Sequence, residues 1–256
     1  QAEMIHASGA PRPSFAATLT GRPVVSFQTH NLGLLNAATA LSSTGLTMSF
    51  LKMLATGEYD PAAAISYAAA LGLAVPDQIT AAAGQTATLG LSIYPVSSDG
   101  SSAPLAAGTT RSLPGLITGD IYTLGAVKIG DTPIGGVTNV AVNFGYNVVT
   151  NEGENGASYP TLARIDRHTP SVTVDFSDIS SITAAHLLTG NLPAGAVTIY
   201  FSGVNQGAVT TPEVFSITLG KSFVDAASLK GGVSATGQLQ FRPLLSASDF
   251  FAFAGA

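Results

Sequence analysis

From Tyr122 to Phe201 the chain alternates apolar and polar residues with period two in three successive runs, passes through a short helical pattern, and alternates again. In Val140-Ala141-Val142-Asn143-Phe144-Gly145-Tyr146-Asn147-Val148 every even position is apolar and every odd one small or polar. That period predicts one strand over Val137–Val148 with a single face in a core. Its other face carries Ala, Asn and Gly where a solvated strand usually carries Lys or Glu, and such a face is expected to meet another subunit. The same alternation predicts strands at Tyr122–Ile129, Leu162–Arg167, Ser171–Phe176, Val197–Phe201, Val214–Leu219 and Gln238–Arg242. Ser177-Asp178 offers an N-cap for a helix over Ile179–Leu188, closed by Gly190.

The first half is less regular. Val24–Gln28, Leu46–Leu51 and Ala87–Val96 read as strands. Asp60-Pro61 is the pattern of an N-cap followed by proline at the first helical position, which predicts an Ala-rich helix over Ala62–Leu71 that stops at Gly72. Pro76–Gly84 reads as a polar connection, and Asn151–Ser158 as a polar loop. Ser97–Pro114 begins with the densest run of turn formers in the chain and exceeds the roughly 12–15 residues above which a loop is usually functional or mobile. Gln1–Ser14, with Pro11 and Pro13 and no periodicity, reads as an extended arm. The expected fold is therefore mainly β, a sandwich or barrel with one or two short helices, a long loop and an N-terminal arm. Residues 1–20 would form the arm and 21–256 a single β domain, elaborated over 21–115 and regular over 116–256.

Composition changes this picture in one respect. Only 10% of the 256 residues are charged, against about 25% in ordinary globular proteins. Ala, Gly, Ser and Thr stand in place of the missing charge. A surface so poor in charge fits a subunit buried in an assembly, the competing reading being a secreted protein with a Ser/Thr-rich exterior. The net charge is −5, with ten basic residues scattered and no basic run, so specific nucleic-acid binding is not expected. A surface past which DNA slides should be neutral to acidic, because phosphate repels carboxylate. There is no cysteine, which excludes disulfides and thiolate metal sites. No apolar run reaches the roughly 18 residues of a membrane-spanning helix. Gln1–Pro13 lacks the pattern of a signal peptide, and Met4 stands as a candidate natural start.

Candidate chemistry is sparse. His6, His30, His168 and His186 show no metal-ligand spacing. Asp166 and His168 share a strand face and could pair as an acid–base couple, but a charged strand face at a subunit contact accounts for them equally. Asp175 and Asp178 could pair or bind a cation, yet Asp178 is better explained as the helix cap. Glu152 and Glu154, with Asn151 and Asn155, offer oxygen ligands or simply a solvated loop tip. Gly135-Gly136 and Gly231-Gly232 do not open a helix after a strand, so neither forms a phosphate cradle. No catalytic set, no metal and no cofactor is expected.

The order Tyr122-Thr123-Leu124-Gly125-Ala126-Val127-Lys128-Ile129, then Val137-Thr138-Asn139-Val140-Ala141-Val142-Asn143-Phe144-Gly145, the polar loop to Tyr159-Pro160-Thr161, and Pro170-Ser171-Val172-Thr173-Val174-Asp175-Phe176-Ser177-Asp178 before a short helix resembles the major tail tube proteins of long-tailed bacteriophages. The likeness is one of pattern and order, over roughly half the chain, and leaves residues 1–115 unaccounted for. It implies a β-sandwich flanked by a helix, homo-hexameric rings stacked into a tube, other tail proteins as partners, and genomic DNA passing through a polar or acidic lumen without specific binding. It implies a place in the virion tail, assembled in the host cytoplasm, with no membrane partner. A distal-tail or baseplate ring protein, or a secreted surface adhesin, are the alternatives. Under the tube reading the candidate inter-subunit residues are Val140, Ala141, Val142 and Asn143 on the strand, Ser98, Asp99, Gly100 and Ser101 in the long loop, and Pro11 and Pro13 in the arm, with loop and arm acting as clasps between rings.

Overall fold

A computed structural model describes residues 2–5, 15–18, 21–35, 46–53, 55–56, 59–108, 121–151, 157–180, 182, 195–204, 214–231, 236–245 and 249–255. Its elements are β1 (Ala2–Ile5), β2 (Phe15–Thr18), β3 (Val25–Thr29), β4 (Leu46–Met53), β5 (Tyr59–Ala69), β6 (Gly72–Ala82), β7 (Thr88–Pro95), β8 (Ala106–Gly108), β9 (Tyr122–Ile129), β10 (Thr132–Pro133), β11 (Val137–Asn143), β12 (Tyr146–Thr150), β13 (Ala163–His168), β14 (Ser171–Phe176), β15 (Val197–Gly203), β16 (Val214–Leu219), β17 (Ser222–Lys230), β18 (Thr236–Pro243) and β19 (Ala252–Ala254). The chain is thus mainly β, in antiparallel sheets.

Two sheets enclose the core. One has seven strands in the order β17-β18-β14-β11-β6-β7-β3, the other five in the order β10-β9-β15-β16-β19. Val140, Val142, Val172, Val174, Phe176, Leu239 and Phe241 from the first meet Val127, Ile199, Phe201, Phe215 and Ile217 from the second in a single buried cluster. The alternation that marked these strands in the sequence is the inward half of a sandwich. Thr123 of β9 bridges to Thr86, just before β7, and β9 ends in the hairpin with β10 that leads toward β11. Only Gly220 and Lys221 join β16 in one sheet to β17 in the other. Three smaller sheets, β1-β2, β12-β13 and β4-β5-β8, are the others among the described residues.

Several expectations are corrected. Ala62–Leu71 is no helix: all but Ala70 and Leu71 belongs to β5, paired with β4 on one side and β8 on the other. Helix propensity separates alanine from strand formers by only about 0.7 kcal/mol per residue, and ladder pairing overrides it. Within that run Ile65 and Tyr67 share one exposed face while Ser66 is buried between them, a period of two that the alanines mask. Gly72 is not a helix cap; a Cβ there would lie 2.8 Å from the Tyr94 carbonyl oxygen across the β6–β7 pair. Pro76–Gly84 is not a polar connection, since most of it is β6, with Ile79 and Ala81 in the core. Pro76 is tolerated because the register shifts between Pro76 and Gln78.

Val137–Val148 is two strands rather than one. At Gly145 the backbone takes φ +64°, and the chain leaves the seven-stranded sheet to pair β12 with β13. The arm contains β1 and β2, which pair from Ala2↔Thr18 to Ile5↔Phe15. The long loop contains β8, and its residues 109–114 lie outside the described residues. So does most of the span expected as the Ile179–Leu188 helix; its described start is a turn, in which Ile182 N–H donates to the Ile179 carbonyl at 3.1 Å.

Candidate assembly surface

The outer face of the seven-stranded sheet is built by register. One rung across it reads Thr80, Ala141, Thr173 and Gln240. The next reads Ala82, Asn139, Asp175, Gln238 and Ser228. A third brings together Gln78, Asn143 and Ser171. These are amides, hydroxyls and methyl groups, with one carboxylate. Asp175 is satisfied within the face: Asn139 Nδ2 donates to it at 3.2 Å and Gln238 Nε2 at 2.7 Å. Beside it, Thr138, Phe176, Ser228, Lys230 and Gly237 line a cavity of about 230 Å³. Arg242 on the neighbouring strand is tied to Asp225 at 2.8 Å. Asn139, Gln238 and Arg242, held by these bonds, have little rotamer freedom left.

Of the expected strand residues, Val140 and Val142 are buried in the chain's own core, whereas Ala141 and Asn143 lie on this outer face. Asn143 Oδ1 accepts the Gly145 N–H at 2.8 Å and so also shapes the break after β11. The face extends beyond β11 onto β6, β14 and β18. Its signal was present in Gln238-Leu239-Gln240-Phe241-Arg242, whose polar half points outward.

Ser98, Asp99, Gly100 and Ser101 form a closed turn. Asp99 accepts the N–H of Ser101 at 2.9 Å, the N–H and hydroxyl of Ser102 at 2.8 Å each, and the Ser97 hydroxyl at 2.9 Å. The donors, Ser102 first, hold its carboxyl well below the usual carboxylate range. Gly100 has φ +74°, and a Cβ there would stand 2.6 Å from the Ala157 side chain. Tyr159 N–H donates to the Gly100 carbonyl at 2.9 Å and Ser97 N–H to the Pro160 carbonyl at 2.8 Å. The turn is therefore zipped to residues 157–161 of its own chain. Pro11 and Pro13 lie outside the described residues, as do Glu152, Glu154, His6 and His186.

The β12–β13 ribbon exposes Val149, Leu162 and Ile165 at 40–53%. Its far end is held by Asn151, which accepts from Thr161 and Leu162 N–H at 2.9 Å. Its near end is held by aromatic contacts. Tyr146 stacks on His168 at 4.0 Å between ring centroids, Phe250 meets His168 edge-on at 4.6 Å, and Phe251 meets Phe144 edge-on at 5.4 Å. Burial holds His168 below its ordinary value, against a backbone hydrogen bond to Phe144. Asp166 is exposed, whereas His168 is half-buried in this stack.

Among the described residues no group of three or more His, Asp or Glu side chains could hold a metal ion. His30 Nδ1 lies 2.9 Å from the Ala87 carbonyl, a contact that ties β3 to β7. Asp178 accepts the Ser180 N–H at 2.8 Å, and the Ser180 side chain and N–H lower its carboxyl. No helix among the described residues is long and apolar enough to cross a membrane. Taken together, the fold defines a two-sheet β-sandwich. No family model and no curated protein matches the chain.

Proposed function

We propose that this chain is a structural subunit of a bacteriophage tail tube, one that repeats around a ring and stacks into a tube whose lumen conducts DNA. The observation that carries the reading is the outer face of the seven-stranded sheet, where amides and hydroxyls stand in register and the carboxylate and the arginine are both engaged within the chain. A face of this kind forms few salt-labile contacts and offers no row of cations to phosphate, so it serves either a neighbouring subunit or a channel wall. The two outermost strands of that sheet, β17 and β3, have no further strand neighbour among the described residues. Unpaired edges at opposite sides of one sheet allow the sheet to continue into a second copy. The chain needs no catalytic group for this work; its role is mechanical and electrostatic.

Negative-stain electron microscopy of the purified protein over a range of concentrations tests the proposal. Rings or tubes with a central channel are expected. Single rings that never stack would point instead to a distal-tail or baseplate part. Small monodisperse particles at every concentration would sink the assembly reading and favour a monomeric surface-binding module. Within the tube reading, deleting Ser98–Ala107 tests the clasp role of the long loop: folded subunits or rings that fail to lengthen are expected, and normal tubes would refute it.

A further inference from the structure

His168 joins three parts of the molecule. It is the last residue of β13, it stacks on Tyr146 at the start of β12, and it meets the ring of Phe250 in the C-terminal segment. That segment continues through Phe251 into β19, which covers the edge of β16 with the register Thr218↔Ala252, Ile217↔Phe253 and Ser216↔Ala254. Phe253 lies parallel to Phe215 at 6.2 Å, and Phe251 sits edge-on to Phe144 at 5.4 Å. Three residues of strand are a short ladder, so the segment depends on these ring contacts to stay in place.

The surroundings of the imidazole favour its neutral form. Nε2 is buried with no hydrogen-bond partner, which leaves Nδ1 as the nitrogen that donates to the Phe144 carbonyl. That assignment describes a neutral ring. A second proton would place a charge on Nε2 where no acceptor waits. None of the charged and titratable groups around it is hydrogen-bonded to Nε2. On β12, the Tyr146 phenol is pushed up by burial and then by Asp249. On the C-terminal segment, the Asp249 carboxylate acts on that phenol. On β6, Asp77 gives its carbonyl to Phe144 N–H and its carboxylate to the Ser92 hydroxyl. On β13 itself, Asp166 and Arg167 are exposed.

We propose that His168 is an acid-sensitive pin: while neutral it clamps Asp249–Ala254 to the end of the sandwich, and its protonation frees that segment, baring the β16 edge and the rings of Phe144 and Phe215. The sign follows from burial. A histidine held below its ordinary value stabilises the folded arrangement fully above 6.5 and progressively less as the pH falls toward its folded value. One proton is involved, so the opening equilibrium of the segment rises by at most about tenfold per pH unit across that window.

The test is hydrogen exchange of the full chain from about pH 7.5 to about pH 4.5, corrected for the intrinsic exchange rate, together with NMR titration of the His168 ring. In the wild type, protection over 249–254 should fall by up to about tenfold per pH unit below the ordinary histidine value, while β14 and β18 keep theirs. In His168→Phe, which keeps an aromatic ring but carries no titratable nitrogen, protection should not change with pH. Wild-type protection that does not vary with pH, or the same fall in His168→Phe, overturns the proposal. If His168→Phe does not fold, the wild-type titration decides it: a ring that titrates at or above 6.5 excludes a pin held neutral by burial. The pin is a property of the single chain, so a subunit that never assembles leaves it standing, and tubes without a pH response remove it alone.

Discussion

Gly145→Ala isolates the point where the chain leaves one sheet for another. Gly145 has φ +64°, and a Cβ built there would lie 2.0 Å from the Thr169 carbonyl oxygen. An alanine in the left-handed region costs roughly 1–2 kcal/mol from the backbone alone. The clash then forces the Gly145 and Thr169 backbones apart. That breaks the Thr169 N–H bond to the Gly145 carbonyl at 2.9 Å and strains the Gly145 N–H bond to Asn143 Oδ1 at 2.8 Å. At about 1 kcal/mol for each bond, the expected loss is about 3–4 kcal/mol, a large part of the roughly 5–15 kcal/mol that holds a folded domain together. Gly231→Ala is the matched control: nothing lies within 4 Å of its Cβ position, and a change below about 0.5 kcal/mol is expected. Urea unfolding followed by circular dichroism measures both. Equal midpoints for the two variants would refute the account of Gly145 as an obligatory glycine.

Two further outcomes follow from the core and from the long loop. Phe241 is fully buried between Val172 and Val224 in register, so Phe241→Ala should lower unfolding stability by about 3–5 kcal/mol in the same assay. Asp99, its carboxyl held below the ordinary 3.8 by the Ser102 and Ser101 N–H groups and then by hydroxyls, supports its turn fully above that value and loses effect only as the pH falls through its lower folded value. Asp99→Asn should therefore open the turn at neutral pH to proteolysis between Ser97 and Ser102, while the wild-type turn stays closed at about pH 4; equal cleavage of both proteins at neutral pH would count against the turn's dependence on that carboxylate.

Alternation was legible wherever one face of a strand enters the core. Ser171–Phe176 and Val214–Leu219 occupy the spans their period marks out, because valine, isoleucine and phenylalanine two apart have no other way to reach one interior. Three physical effects hid the rest. Alanine on both faces erased the period of β5, leaving Asp60-Pro61 to imitate a helix start. A register shift between Val224 and Ala226 put two successive residues against one and broke the alternation of β17, so that strand left no clean signal. At Gly145 the even-numbered apolar run continued through a change of partner, since Tyr146 stays against the same aromatic cluster after its backbone has left the sheet. The outer face was legible in composition along β11, but its breadth was not. Which strands flank β11 depends on contacts between distant parts of the chain, and these placed Asn139 and Gln238 on either side of Asp175.

The strand order of the large sheet also sets an order in time. Strands β3, β7 and β6 come from the first part of the chain and pair with one another, yet the other side of β6 must wait for β11, and β11 for β14. Strand β18, which pairs with β14, follows only near the C-terminal end of the sequence. At the roughly 5–20 residues per second of synthesis, a nascent chain holds β6 with an open edge for several seconds. Pro76 and the register shift beside it lie in the ladder with β7, and the later ladder with β11 runs over Gln78–Ala82. A newly made chain therefore carries a half-built sheet before its fold is complete. Slower translation between β6 and β11 should lengthen that exposure and lower the yield of soluble protein.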